Sequence, residues 1–419
     1  MSENINKYKK SKYTCYFSYL AMASVFSLPP ILFITFHENY GISYTLLGTL
    51  VAINFCVQLC VDLAFSFFSK HFNIHSCVKI MPLLTTVGLL TYALIPTFFP
   101  KVAYLGLAIG TVLFSVASGL SEALLSPLVA ALPSDNPERD MSALHSLYGY
   151  GVLMVVVLST VFLKIFGTEN WMYLTVFWAI LPLICAILYN IVPLPEMNIS
   201  HNNGSKSNKS QKFGLALCVA CIFLGSCAEN TMTNWISGYM ETALHIPKTV
   251  GDILGMALFA VLLALTRTVY AKYGKNIINV LFWGMTGSAI CYIIIGVSSN
   301  VMISIISCVL VGIFTSMLWP GTLIMMEEQF PHIGVAAYAL MAAGGDFGAS
   351  IAPQTMGIIV DTVSASNWAE SLSTATSMTV DQIGMKTGML LSAIFPILGV
   401  FLMIYIKRYF SKQAKQKTE

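Results

Sequence analysis

The chain has 419 residues, of which 56% are hydrophobic and 10% are charged, and its mean hydropathy is +0.75. About 25% of the residues of a typical soluble domain are charged, so this composition excludes a soluble globular protein, and the apolar excess excludes a disordered chain. The net charge is only +3, and no basic stripe lies outside the loops and termini, which excludes a nucleic-acid partner. The remaining class is an all-α membrane protein that crosses the bilayer many times.

Twelve apolar segments, each long enough to span a bilayer, follow one another along the chain. The predicted spans are 14–36, 44–68, 77–98, 104–131, 142–165, 171–192, 213–240, 250–271, 277–298, 301–325, 334–360 and 383–406. The first follows a basic N-terminus and has no small-residue cleavage site, so we interpret it as an uncleaved span. The polar break at 193–212 is rich in Ser, Asn and Lys, which is typical of a flexible linker. The sequence therefore predicts a six-helix bundle at 1–192, a cytoplasmic linker at 193–212 and a second six-helix bundle at 213–419.

The placement of Lys and Arg predicts the orientation of these spans. With the N-terminus inside, 18 of the 22 Lys and Arg residues fall on the inner side. The four on the outer side are Lys101, Lys164, Lys248 and Lys386. Because Lys and Arg accumulate in cytoplasmic loops, we expect a multi-pass protein of the cell membrane with both termini in the cytoplasm.

A short pattern recurs at equivalent places in the two halves. Gly119 and Pro127 in span four are eight residues apart, as are Gly312 and Pro320 in span ten, and both pairs are offset by 193 residues. Such a match predicts parallel repeats related by an axis along the membrane normal. In that architecture the substrate site lies near the bilayer midplane, between the halves.

Five ionisable side chains lie within the apolar runs, away from the first and last four residues of the predicted spans. They are Asp62, Glu122, Glu229, Arg267 and Asp346. A charge at the centre of the bilayer costs about 2.5–3.5 kcal/mol on insertion scales, so each needs water, a partner or a proton. Glu122 and Glu229 are the deepest, and each is interpreted either as a solute-binding, proton-coupling group or as a structural hydrogen bond to a neighbouring helix. For Asp346 the same two roles stay open, while Asp62 and Arg267 are interpreted as structural or gating groups near the cytoplasmic ends.

Amide and aromatic residues of the kind that bind sugars occur in the same spans. They are Asn54 and Gln58 in span two, His145 in span five, Asn230, Asn234 and Trp235 in span seven, Trp319 in span ten and Gln354 in span eleven. Amides and carboxylates bind pairs of hydroxyl groups, and an indole face packs against the C–H groups of a sugar ring. The alternative is interhelical hydrogen bonding together with an interfacial aromatic belt. For the group in span seven both interpretations stay open.

The run Glu122-Ala-Leu-Leu-Ser-Pro127 is similar to the Glu-Thr-Ala-Ala-Asn-Pro motif of the fucose-permease-like branch of the major facilitator superfamily. This resemblance implies a bacterial proton–sugar symporter of twelve helices in two pseudo-symmetric bundles, with Glu122 as the cavity glutamate. Two positions depart from the family pattern: Pro30 stands where the family has an Asp in span one, and Ser126 replaces the Asn before the proline. Proton coupling is therefore expected at Glu122, Glu229 or Asp346.

These observations predict a secondary active transporter of a small polar solute, a sugar in the first place, coupled to protons by alternating access. One alternative is a drug-efflux antiporter of the same superfamily, but such exporters resemble one another in a Gly-Pro-rich span five, and residues 149–155 here contain no Pro. Another is a membrane-embedded enzyme, for which the sequence has no catalytic or cofactor motif. We expect a monomer in the lipid bilayer whose partners are the solute and a coupling proton, without enzymatic activity, cofactor or metal. The ten Cys residues, which lie mainly in apolar runs, are expected to be inert packing groups.

Overall fold

The structure is a computed structural model that describes residues 2–68, 72–135, 137–195, 209–330 and 335–418. Within these ranges the regular secondary structure is helical. The longer helices are α1 (Ser2–Tyr40), α2 (Tyr44–Phe68), α3 (Ile74–Phe98), α4 (Ala103–Ala131), α5 (Pro137–Phe166), α6 (Trp171–Ile191), α7 (Lys209–Thr242), α9 (Leu258–Tyr273), α10 (Ile277–Val297), α11 (Val301–Thr315), α13 (Val335–Ser364), α15 (Val380–Ser392) and α16 (Ile394–Thr418). The shorter ones are α8 (Lys248–Gly251), α12 (Pro320–Gln329) and α14 (Asn367–Thr376).

Several predicted spans are built from more than one helix. Span eight consists of α8, a π-helical segment at Asp252–Ala257 and α9. Span ten consists of α11 and α12, and span twelve of α15 and α16. The sequence did not predict α14, an amphipathic helix of ten residues between spans eleven and twelve.

Eleven helical segments of the described chain are long and apolar enough to cross a membrane. One more long helix, α13, has 30 residues and carries the polar residues Asp346, Gln354 and Asp361. The predicted all-α, multi-pass membrane architecture is therefore confirmed. Most of the predicted linker, residues 196–208, lies outside the described residues.

The chain forms two compact units. The first contains Met1–Ile42 and Ile53–Ser200, and the second contains Ser43–Ala52 and His201–Glu419. The first turns of α2 thus belong to the second unit, whereas the rest of this helix belongs to the first. The sequence pattern of α2, a single apolar run, contains no sign of this division.

Two glycines allow the first turns of α2 to lie directly against α13. A Cβ atom at Gly48 would lie 2.9 Å from both the carbonyl oxygen of Pro353 and the Cα of Gln354. A Cβ atom at Gly357 would collide with the carbonyl group of Tyr44. Because only glycine fits at these two positions, the backbones of the two helices approach more closely than larger residues would permit.

An acidic side chain of α13 caps the same end of α2. The carboxylate of Asp361 accepts hydrogen bonds from the backbone amides of Tyr44, at 3.1 Å, and Thr45, at 2.6 Å. The first amides of a helix have no partner within the helix, and a negative charge is favourable at its N-terminus. Asp361 therefore satisfies two amides of α2 with a residue more than 300 positions further along the chain.

The glycines of the recurring Gly-to-Pro pattern have equivalent packing roles within each unit. A Cβ at Gly119 of α4 would lie 2.9 Å from the Cβ of Val61 in α2. A Cβ at Gly312 of α11 would lie 2.7 Å from the carbonyl oxygen of Phe259 in α9. Span four thus approaches span two in the first unit, and span ten approaches span eight in the second.

All ten cysteines are free thiols. Seven are buried, as expected for small packing groups, but Cys56 and Cys60 are exposed on α2. The expectation of buried packing thiols is therefore wrong for these two. Their spacing of four residues places them on one face of the helix, and that face is turned away from the protein interior.

We expect Asp361→Ala to free the first amides of α2. Loss of a helix cap costs about 0.5–2 kcal/mol, so amide hydrogens at residues 44–47 should exchange about tenfold faster, as measured by hydrogen–deuterium exchange. Asp361→Asn, which keeps one acceptor oxygen, should have a smaller effect. The matched control is Glu370→Gln, which removes an exposed carboxylate in α14. Unchanged exchange in Asp361→Ala would show that the glycine contacts alone hold this end of α2.

Candidate functional site

The first unit contains a row of polar side chains on one face of α2. Asn54, Gln58 and Asp62 are spaced four residues apart, which aligns them along the helix. Asn54 is 8% exposed and Gln58 only 1%, whereas Asp62 is half-buried. The amide nitrogen of Gln58 donates to the backbone carbonyl of Asn54 at 3.3 Å. Sequence reasoning selected all three residues, and the structure places them together.

The facing side of α4 carries a matching row. The hydroxyl of Ser115 donates to Oδ1 of Asn54 at 2.6 Å, and Gly119 lies opposite Gln58, whose Cα would be 3.3 Å from a Cβ added there. One turn further, Glu122 interacts electrostatically with Asp62. The polar row of α2 therefore lies against the side of α4 that carries Ser115, Gly119 and Glu122.

Glu122 differs from the other members of this row because it is exposed. Its carboxylate interacts electrostatically with Asp62 and with Tyr19 of α1. Within the described part of the chain it has neither a hydrogen-bond partner nor an ion pair. An exposed carboxylate within an apolar span needs water, a solute or a proton.

An aromatic group extends from the neighbourhood of Glu122. The ring of Tyr19 meets that of Tyr148 edge-on, with centroids 6.2 Å apart, and Tyr148 meets Phe26 in the same way at 5.9 Å. Phe26 in turn lies 6.2 Å from Phe55 of α2. The first unit thus combines an unpaired carboxylate with aromatic surface, the two kinds of group that bind hydroxylated rings.

The second unit is organised around a break in span ten. α11 ends at Thr315 and α12 begins at Pro320. Because proline has no backbone N–H, the carbonyl of Ser316, four residues before Pro320, loses its intrahelical donor. The Nε atom of Arg267 donates to this carbonyl at 2.8 Å.

The same guanidinium group pairs with a carboxylate of α7. Nη2 of Arg267 lies 3.2 Å from Oε1 of Glu229, and the two side chains are 39% and 18% exposed. Arg267 therefore joins span eight, span seven and the broken span ten. The sequence placed Arg267 nearer the cytoplasmic end than Glu229 and did not predict this pair, because a long arginine side chain reaches along the helix axis beyond its own position.

The two amides of α7 bond to their own helix. The side-chain nitrogen of Asn230 donates to the carbonyl and the hydroxyl of Ser226, both at 3.1 Å, and that of Asn234 donates to the carbonyl of Asn230 at 2.9 Å. Trp235 is fully buried, and its indole N–H donates to the carbonyl of Pro353 at 3.1 Å. In this conformation the indole ring is part of the packing between α7 and α13.

The remaining predicted residues of the second unit lie on span ten and α13. Trp319 is half-buried, and a Cβ at Gly345 would collide with its ring. Asp346 is 6% exposed. Oε1 of Gln354 is buried without a hydrogen-bond partner among the described residues.

The side chain of His145, a predicted site residue of span five, lies outside the described residues.

One buried carboxylate was missed by the sequence analysis. Asp252 is fully buried at the start of the π-helical segment, where the hydroxyl of Ser237 donates to it and the ammonium group of Lys248 lies 4.0 Å away. Lys248 also lies 3.5 Å from Glu241. The available signal was the Lys-to-Asp spacing of four residues at the start of span eight, which is typical of an ion pair within a helix.

These features define a class: a multi-pass helical membrane protein whose spans contain paired and unpaired ionisable groups. Residues 15–353 match the sequence family described as Major Facilitator Superfamily. Since this match covers most of the chain, the protein belongs to the major facilitator superfamily. A comparison with curated protein sequences gave no match.

Solved structures of the same fold include several transporters. A bacterial homolog of the human lysosomal transporter Spinster, in an inward-facing and occupied conformation, is similar with a TM-score of 0.76 and 12% identity over 97% of this chain and 98% of that one. A D-xylose–proton symporter gives 0.73 and 15% identity over 93% and 97%. The nucleoside transporter NupG gives 0.67 and 14% identity over 96% and 100%. At these identities the likeness establishes the fold, and the predicted major facilitator fold is confirmed.

We expect Arg267→Gln to destabilise the second unit, because it leaves Glu229 and the Ser316 carbonyl without their donor. Breaking a buried pair costs about 3–5 kcal/mol, but partial exposure reduces the expected loss here to about 1–3 kcal/mol. The measurement is a double-mutant cycle with Glu229→Gln, in which thermal unfolding of the purified proteins gives the stability of each variant. The double variant should recover part of the loss, since no unpaired carboxylate remains. Arg267→Lys, which keeps the charge but not the two-pronged geometry, is the control, and unaltered unfolding of Arg267→Gln would refute this role.

Proposed function

We propose that the protein is a secondary active transporter that moves a small polar solute together with protons by alternating access. Membership of the major facilitator superfamily supports a transporter and not an enzyme. The observation that carries the finer proposal is the state of Glu122, an exposed carboxylate inside an apolar span that has no hydrogen bond or ion pair in the described chain. The similarity of its motif to the fucose-permease-like branch is in keeping with this proposal.

The contrast between the two glutamates favours Glu122 as the coupling group. Glu229 is neutralised by Arg267 at 3.2 Å, so a proton arriving there would have to displace an ion pair. Glu122 has no cation beside it in the described chain, and its charged neighbour is the carboxylate of Asp62. Asp346 is the third candidate and is 6% exposed, which leaves less access for a proton or a solute.

Protonation of Glu122 would link solute entry to the membrane potential. A carboxylate within hydrocarbon must be hydrated, paired or protonated, and the protonated form crosses a closed state at the lowest cost. One proton that enters with a neutral solute moves one elementary charge, and about 2.3 kcal/mol is then available per 100 mV. This free energy suffices for accumulation by roughly fiftyfold.

A sugar or a sugar-containing molecule is the proposed solute class. The exposed carboxylate of Glu122 offers acceptors for hydroxyl groups, and the half-buried ring of Tyr148, which packs against Tyr19, offers aromatic surface. Two structures of the same fold are named as a D-xylose–proton symporter and a nucleoside transporter, and both solute classes contain a pentose ring. Placement in the cell membrane with cytoplasmic termini, argued from the distribution of Lys and Arg, belongs to the same proposal.

The decisive variant is Glu122→Gln, which keeps the shape of the side chain and its ability to form hydrogen bonds but cannot ionise. We expect it to abolish accumulation driven by a proton gradient while leaving solute counterflow, which requires no net proton movement, largely intact. The assay is uptake into proteoliposomes of radiolabelled monosaccharides, beginning with D-xylose, and of uridine, with and without an imposed gradient. Internal pyranine fluorescence reports proton entry in the same vesicles.

Two further variants make the result specific. Glu38→Gln removes an exposed carboxylate at the end of α1 and should transport as the unaltered protein does. Glu229→Gln should retain gradient-driven accumulation at a rate lowered by its effect on stability. Accumulation by Glu122→Gln against a gradient would refute coupling at this residue. Gradient-driven expulsion of hydrophobic cations, without uptake of any sugar, would favour the drug-efflux alternative.

A further inference from the structure

The last helix has one face that is both apolar and exposed. Four side chains along it are 47–65% exposed and are spaced by four, three and four residues. They are Ile394, Leu398, Phe401 and Tyr405. The opposite face is buried, with Met403, Ile406 and Phe410 at 4% exposure or less. In a helix that crosses the bilayer, an exposed apolar stripe of this kind faces lipid.

Beyond Tyr405, the same face of α16 carries cationic side chains. Arg408 and Lys412 follow Tyr405 at the next intervals of three and four residues, so they lie on the lipid-facing side of α16, and both are exposed. Together with Lys407 and Ser411 they line an open cavity of about 480 Å³. Among the described residues of this lining, Lys407, Arg408 and Lys412 are cations, and Ser411 carries a hydroxyl group that can donate to an oxygen.

The start of α10 lies beside these cationic residues of α16. α10 packs against α16, and Nζ of Lys407 donates to Oδ1 of Asn279 in the first turn of α10 at 3.0 Å. Trp283, one turn further into the span, is 64% exposed. Exposed Trp and Tyr residues on spanning helices are typical of the headgroup level of a bilayer. The sequence contains no Asp or Glu at 253–326 or at 382–418, so both segments are free of acidic residues.

We propose that this corner, formed by Lys407, Arg408, Ser411 and Lys412 of α16 beside Asn279 of α10, binds the headgroup of an anionic phospholipid. Clusters of cations immediately beyond a membrane span attract anionic lipids, and guanidinium and ammonium groups both bind phosphate oxygens. A lipid fits better than a soluble anion, because the cations continue the lipid-facing stripe directly and Tyr405 and Trp283 mark the adjoining headgroup level. The acyl chains would then lie along the exposed face from Phe401 to Ile394.

Native mass spectrometry of the full-length protein in neutral detergent tests this site. Dioleoylphosphatidylglycerol is titrated against dioleoylphosphatidylcholine, which has the same chains and no net charge. The triple variant Lys407→Gln, Arg408→Gln, Lys412→Gln should bind the anionic lipid more weakly by about tenfold to a hundredfold at low salt, because each surface cation contributes about fivefold. Binding of the neutral lipid should not change.

A double variant at the ends of other helices, Lys101→Gln with Lys164→Gln, also removes exposed lysines and is the matched control. It should bind the anionic lipid as the unaltered protein does. Gel filtration and thermal unfolding verify that each variant is folded, and the single variants Arg408→Gln and Lys412→Gln replace the triple if it is not. Equal affinity of the triple variant and the control for the anionic lipid would overturn the proposal. Equal competition by inorganic phosphate at the same concentration would also overturn it, in favour of a soluble anion.

Discussion

Hydrocarbon offers no hydrogen-bond partner, and this constraint explains the contacts on which the second unit depends. Pro320 interrupts span ten and frees the carbonyl of Ser316, which would be costly if it were left alone in the membrane. Arg267 donates a hydrogen bond to that carbonyl and at the same time forms an ion pair with Glu229. The break in span ten is thus stabilised by Arg267 of span eight, and the charge of Arg267 is balanced by Glu229 of span seven. Removal of Arg267 would leave both the Ser316 carbonyl and Glu229 without this partner.

The first unit meets the same constraint differently. Its row of polar side chains is satisfied in part by contacts between α2 and α4, such as the bond from Ser115 to Asn54, but Glu122 has no such partner in the described chain. A carboxylate in this state must exchange a proton, bind water or bind a solute. The two units therefore carry glutamates in different electrostatic environments, although both glutamates were deep and isolated in the sequence. This difference is the basis for proposing a structural role for Glu229 and proton coupling for Glu122.

Glycine determines where these helices approach each other. In α4 and in α11 the glycine of the recurring pattern admits the neighbouring helix, and in α2 and α13 two further glycines bring the backbones together beside the Asp361 cap. Membrane helices associate through close packing, since burial of apolar surface adds little in an apolar solvent. A glycine at such a contact consequently fixes the register of the polar groups one turn away. For α4, that group is Glu122.

The sequence by itself determined the class, the number of spans to a close approximation and the ionisable residues that need an explanation, because hydropathy and the cost of charge in a bilayer act on each helix separately. It could also identify the row Asn54, Gln58 and Asp62, since helical spacing alone aligns these residues. It could not show that Arg267 reaches Glu229, that Trp235 bonds to Pro353, or that Asp361 caps α2, because each contact joins two different helices. The spacing of Asp252 from Lys248 was visible in the sequence, but its bond from Ser237 was not, because Ser237 belongs to another helix. Only the tertiary packing decided which polar groups are satisfied, and among the described residues it leaves the carboxylate of Glu122 without a hydrogen bond or an ion pair.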